Sequence, residues 1–258
     1  LGVAATTLLG GAALTGCASG SGLHGSEGPV ANLGFEAVAR STADSVVVPK
    51  GYKAQVVYAL GDPLAAGLPA YRNDGTDTGH EMRAGDHHDG MDWFGLDAQG
   101  QRADNASARG LIAMNHEATT DEKLSSFFLH ADGGSSTLPR RAGEVDKELM
   151  IHGLSVVEMR REGNTWRTVQ DSPFNRRVTT MTEAVIHGPA RGSAHLHTKY
   201  SQDGIRTRGT LNNCGAGRTP WGTYVSGEEN WFGYFTRDKD DNARRSKDKS
   251  IVALNRYG

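Results

Sequence analysis

The chain has 258 residues, room for one large domain or two small ones, and its 34 glycines and 7% aromatics favour a loop-rich globular protein. A formal net charge of −2 leaves no electrostatic footprint for a nucleic acid, and no polybasic run suggests an anionic lipid surface.

The opening "LGVAATTLLGGAALTGCASGSG" starts with Leu rather than Met, so a further N-terminal piece is expected ahead of it. It reads as the apolar core of a secretory signal, too short and too glycine-rich for a membrane span. Leu14-Thr15-Gly16-Cys17 resembles a bacterial lipobox, which makes Cys17 a candidate lipidation site and the only expected link to a membrane. An ordinary signal peptide with an incidental cysteine is the alternative. Residues 1–17 are therefore assigned to the signal and 18–44 to a flexible, small-residue tether. With Cys17 acylated, Cys214 has no partner for a disulfide, and a leftover thiol in an exported protein calls for an explanation.

From residue 45 onward the pattern is of short strands. Ser45–Val48, the turn Pro49-Lys50-Gly51 and "YKAQVVYAL" open the series, followed by "RGLIAMN" at 109–115. A short helix is expected around Glu144 to Ile151. "GLSVVEMRREGNTWRTVQ" predicts a hairpin, because β-branched and apolar residues flank a turn at Glu162-Gly163-Asn164. Further strands are expected at 209–213, 221–227 and 250–255. Short strands with turn chemistry between them and few long amphipathic periods predict an all-β fold, a β-propeller with long inserted loops rather than a compact sandwich. "TRDKDDNARRSKDK" (236–249) reads as a solvated loop, with calcium binding through Asp238, Asp240 and Asp241 as an alternative.

Four constellations could carry chemistry. In "NNCGAGRTPWGTYVSGEEN" (212–230) a lone cysteine precedes two adjacent glutamates, Glu228 and Glu229. Thiolate binds borderline or soft metals and carboxylate binds hard ones, so the combination suits iron better than calcium alone. If the strand runs through both glutamates they face opposite sides, and only one enters a given site unless a bulge or strand end re-aims the other. A buried structural thiol near a surface turn is the competing account. In "LIAMNHEAT" an apolar strand ends in Asn115-His116-Glu117, where a strand fixes geometry and a loop opens space. "GHEMRAGDHHDGMDWFGLD" is dense in His and Asp, yet adjacent His87 and His88 make an awkward ligand pair. A loop packing Trp93 and Phe94 on the core is the preferred reading of that stretch. His187, His195 and His197 read as loop polarity. Neither a Gly-x-Ser-x-Gly elbow nor a phosphate loop occurs, which removes support for serine hydrolases and nucleotide-binding enzymes.

"TLNNCGAGRTPWGTYVSGEENWFGYF" (210–235) resembles the signature of the PhoX-type alkaline phosphatases, and "GDHHDGM", "LIAMNHE", "DSPFNRRV" and "HGPA" resemble the same family in the same order. The resemblance spans roughly residues 45–258. It implies a monomeric, exported β-propeller enzyme, periplasmic or at the cell surface, that hydrolyses phosphate monoesters with a cluster of ferric iron (Fe3+) and calcium (Ca2+). Carried over by position, Cys214 becomes an iron thiolate, Glu117 an iron carboxylate, and Glu228 or Glu229 an iron or calcium ligand. It also implies further carboxylates and a phosphate-gripping arginine on blades beyond residue 258, so the chain is expected to be an N-terminal part, inactive alone. The alternative is a non-catalytic propeller lipoprotein that binds a ligand or partner protein and keeps the metal block.

Overall fold

The computed structural model describes residues 34–119, 129–135 and 139–234. The proposed signal, Cys17, the solvated mixed-charge loop expected at 236–249 and the strand expected at 250–255 lie outside the described residues. The chain divides into two units, residues 1–54 and 55–258. In the first, the described part is irregular apart from the turn in which Tyr52 N donates to the Pro49 carbonyl, and Phe35 meets Tyr52 edge to face.

The second unit is built on antiparallel strands. β1 (His88–Gly95), β2 (Arg109–His116), β3 (Gly153–Glu162) and β4 (Thr165–Thr168) pair in sequence order, and β5 (Arg176–Val178) joins the other edge of β3 at its start. β6 (Glu183–Val185) pairs with β7 (Arg206–Arg208), and β8 (Asn213–Arg218) pairs with β9 (Tyr224–Glu228). Among the described residues these make one five-stranded and two two-stranded sheets. One helix, α1 (Ala142–Ile151), leads into β3, with Glu144 in its first turn where the backbone dipole favours an anion. No helix among the described residues is long and apolar enough to cross a membrane.

Alternation explains what each face of the main sheet does. Val157 and Met159 of β3 and Met114 of β2 point into a core shared with Tyr58, Leu64 and Ala84, and Trp93 and Trp166 pack edge to face beside it. The same face continues toward the strand ends as a polar interior. There Tyr58 Oη and His116 Nε2 both meet the Ser155 hydroxyl, at 3.0 and 2.9 Å, and His88 stacks on Tyr58. Half-buried Arg177 of β5 ties this end together by donating to the carbonyls of Met150, His152 and Leu154. On the opposite face, Asn115 of β2 turns toward β8.

The β3–β4 hairpin, the helix and β2 fall where the sequence predicts them, and Gly163 holds the turn at φ 62°. Three expectations are corrected. Residues 45–48 and 52–60 form no strand, although they carry five valines, and Val46 and Val56 are exposed. The stretch meets the sheet through side chains instead: the Gln55 amide exchanges two hydrogen bonds with the Trp166 backbone at 3.0 and 3.2 Å, and Tyr58 is buried in the core against Ser155. Residues 209–212 form no strand, with a bend at Asn212, and the strand begins only at Asn213. Finally, the His- and Asp-rich stretch contributes β1 rather than a loop, with Trp93 paired to Ile112 across the ladder.

Candidate metal centre

Two β-bulges make this site. On β1, His88 pairs with His116 and Met91 with Met114, so Asp89 and Gly90 together oppose the single residue Asn115. On β8, Asn213 pairs with Glu228 and Ala216 with Ser226, so Cys214 and Gly215 together oppose Gly227. A bulge frees one residue from the pleat and re-aims its side chain. Here the two freed residues are Asp89 and Cys214, and the bulges face each other. Contact is close because residue 90 lacks a side chain: a Cβ there would sit 2.6 Å from the Cys214 carbonyl and 2.7 Å from Ala216.

Glu117 enters from the end of β2, its backbone N–H donating to the His87 carbonyl at 2.9 Å. The ligand-type atoms of Asp89, Glu117 and Cys214 all lie within 4.8 Å of one another. Glu229, just past β9, stands beside them: its carboxylate and that of Asp89 both act on the Cys214 thiol, which can donate to one or the other. Glu228 goes elsewhere. Its Oε1 accepts from Thr210 Oγ1 at 2.7 Å and from Leu211 N at 3.0 Å, bracing the approach to β8. The strand ends at Glu228, and the two adjacent carboxylates part company there as the pleat requires.

The electrostatics are those of crowded acids. Hydrogen bonds to the Glu229 and Asp89 carboxylates, with their negative charge, push the Cys214 thiol up to about 12. Partial burial and the charges of Asp89 and Glu229 raise Glu117 above its ordinary value. Of the neighbouring rings, burial lowers His116 well below its usual range, followed by the nearby Arg177, and burial likewise lowers His88, while His87 acts on Glu117 against the acids. Among the described residues, two carboxylates and a thiol therefore converge within 4.8 Å, with the Glu229 carboxylate acting on the same thiol. Such a donor set fits a multivalent cation, which would make the thiolate the stable form.

The remaining candidates are placed apart from this centre. His187, His195 and His197 are exposed on the β6–β7 side. Arg218 lies along β1, its Nη1 donating to the Trp93 carbonyl at 3.2 Å and its Nε 3.8 Å from Asp92. His116 points into the polar interior rather than toward the acids. Asp89 lies in the His- and Asp-rich stretch, where the sequence alone sets a zinc or calcium reading below that of a packing loop. The signal available was the glycine directly after it, matched by the glycine after Cys214, since a glycine inside a strand pattern marks a bulge or a close backbone approach.

A family model described as alkaline phosphatase PhoX matches residues 33–257. The chain belongs to the PhoX alkaline phosphatase family. Among solved structures it is similar to "Pseudomonas fluorescens PhoX in complex with vanadate, a transition state analogue", with 32% identity and a TM-score of 0.71. That PhoX likeness covers 86% of this chain and 37% of the Pseudomonas chain, so the present chain spans well under half the length of its PhoX relative. A search of curated proteins gives no match.

Proposed function

We propose that the full-length protein is a metal-dependent phosphatase acting on phosphate monoesters, and that this chain supplies one wall of its metal centre. The convergence of Asp89, Glu117 and Cys214 within 4.8 Å, from three separate elements of a PhoX-family chain, carries the reading. Cys214 would hold iron through its sulfur, as the softest donor present, while Asp89, Glu117 and Glu229 would offer hard oxygen atoms to iron or calcium. Multivalent cations bound there would supply positive charge matched to the dianionic phosphoryl group. The protein's own part is to orient the donors on rigid strand ends. The vanadate complex of the Pseudomonas relative supports the substrate class, because vanadate resembles a phosphoryl group in flight. We place the whole protein outside the cytoplasm, as a monomeric β-propeller, periplasmic or held at the cell surface by lipid on Cys17.

The test is hydrolysis of a chromogenic phosphate monoester by the full-length protein at alkaline pH. Activity is expected in the metal-loaded parent, and removal of calcium by a chelator should abolish it. Cys214→Ala should lose iron together with at least 100-fold in rate, by analogy with the removal of other catalytic groups, each on the order of 10²–10⁴. A fully metal-loaded protein that leaves the ester intact would sink the reading.

A further inference from the structure

We propose that Asn115 and Asn212 are positioning residues for the metal centre, fixing the backbone behind all four donors through neutral amide hydrogen bonds. The proposal rests on the metal-site reading above and deepens it.

Asn115 is fully buried and stands directly opposite the Asp89-Gly90 bulge. Its Nδ2 donates to the Cys214 carbonyl at 2.7 Å, crossing from one sheet to the other. Its Oδ1 lies 2.9 Å from the Tyr224 hydroxyl, which is also 2.7 Å from the Gly90 carbonyl and donates to one or the other. One amide and one phenol thus join the residue after Asp89, the backbone of Cys214 and the strand that carries Glu117 two positions on. Asn212 does the same for the other pair. Its Nδ2 donates to the Glu117 carbonyl at 3.1 Å, and its own carbonyl accepts from Glu229 N at 2.8 Å. It makes both contacts from a left-handed backbone, φ 48°, which asparagine tolerates better than most side chains.

The physical need is specific. Bulges remove the ladder hydrogen bonds that would otherwise hold Asp89 and Cys214, while the converging acids repel one another. Something other than the donors must therefore set their separation. Amides do this without adding charge, whereas a carboxylate at either position would add another anion to the cluster. Groups that orient metal ligands from behind are commonly worth 10- to 100-fold in affinity.

The experiment titrates cobalt(II) into chelator-treated full-length protein, reading affinity and the thiolate-to-cobalt charge-transfer absorption, with the melting temperature of the metal-free protein alongside. Asn212→Gly keeps the left-handed backbone and deletes only the amide, so it should stay folded and bind cobalt roughly 10- to 100-fold more weakly. Asn115→Asp should do the same, with a weakened and shifted charge-transfer band. If Asn115→Asp fails to fold, Tyr224→Phe removes a single oxygen behind Asn115 and should still lose several-fold in affinity. Asn175→Ala is the control, since its amide serves the Leu64 and Val169 carbonyls in the main unit. It should lower the melting temperature and leave the cobalt signals as in the parent. Parental affinity and absorption in folded Asn212→Gly and Tyr224→Phe would overturn the proposal, as would an equal loss in Asn175→Ala. A cobalt spectrum unaffected by Cys214→Ser would instead overturn the metal-site reading, and the positioning role with it.

Discussion

Glu158 and His80 show how single buried groups set the acid limit of this chain. Burial alone would raise Glu158, but hydrogen bonds from Arg109, Ser172 and Arg160, at 2.7–2.8 Å, hold it at about 2. Its folded value lies below its unfolded value near 4.5, so its contribution is complete above that pH and is lost as pH falls toward 2. His80 behaves in the complementary way. Burial, then the charge of Lys147, lowers it from 6.5 to about 4, so the folded chain holds the neutral ring. The unfolded chain takes up the proton first, and stability declines as pH falls from 6.5 to 4. Urea midpoints measured across this range should therefore fall in two steps. Glu158→Gln should remove the lower step and cost about 2–3 kcal/mol at neutral pH, a charge-assisted hydrogen-bond loss tempered by the partly exposed Arg160. An unchanged midpoint in the variant would show that the two arginines satisfy themselves without it. At the same scale the sequence was partly legible. Cys214 and Glu117 could be singled out because an unpaired thiol and a strand-end acid are unusual on their face. Choosing between Glu228 and Glu229 required knowing where the strand stops, which local spacing does not specify.

Strand ends and bulges, rather than strands, make the centre, and they are the features a sequence states least clearly. β2 and the β3–β4 hairpin were readable because β-branched and apolar residues alternate around a turn that needs positive φ. β1 was not, because "HDGMDWFG" carries Asp, Gly and His at five of its eight positions and looks like a loop. Its membership in the sheet comes from pairing to β2, a tertiary contact that overrides propensity. The reverse error occurs at 45–60, where valines advertise a strand that does not form. The bulge geometry itself is testable. Gly90→Ala would put a methyl group 2.6 Å from the Cys214 carbonyl, against backbone that has no rotamer with which to yield. The β8–β9 hairpin must then move away from β1. Overpacking of this kind costs about 1–3 kcal/mol. The variant should melt several degrees lower and bind metal more weakly, while Gly215→Ala, where a Cβ meets nothing within 4 Å, should do neither. Thermal melts of the two variants, with and without metal, decide between a close-approach glycine and an incidental one.

For the molecule as a whole, the proposed centre would couple metal occupancy to stability. Asp89, Glu117, Cys214 and Glu229 come from β1, β2, β8 and the segment after β9, so a cation held among them joins the main sheet to the hairpin. Without a cation, the same groups oppose each other and favour separation of these elements. Binding to the folded state alone stabilises by about 2.7 kcal/mol when the metal is present at 100 times its dissociation constant. In a chain of this size that corresponds to a rise in melting temperature of roughly 5–10 °C, since 1 kcal/mol is worth about 2–4 °C. The full-length protein should therefore melt higher when metal-loaded, and a chelator should reverse the shift. Glu229→Gln removes one donor and one source of repulsion, so it should melt at or above the parent when metal-free yet lose most of the metal-induced rise. Glu228→Gln should show the opposite pattern. Its carboxylate braces Thr210 and Leu211, so the metal-free protein should melt lower while the metal-induced rise is retained. This crossed outcome separates a donor from a brace at two adjacent glutamates. Identical behaviour of the two variants would remove Glu229 from the centre.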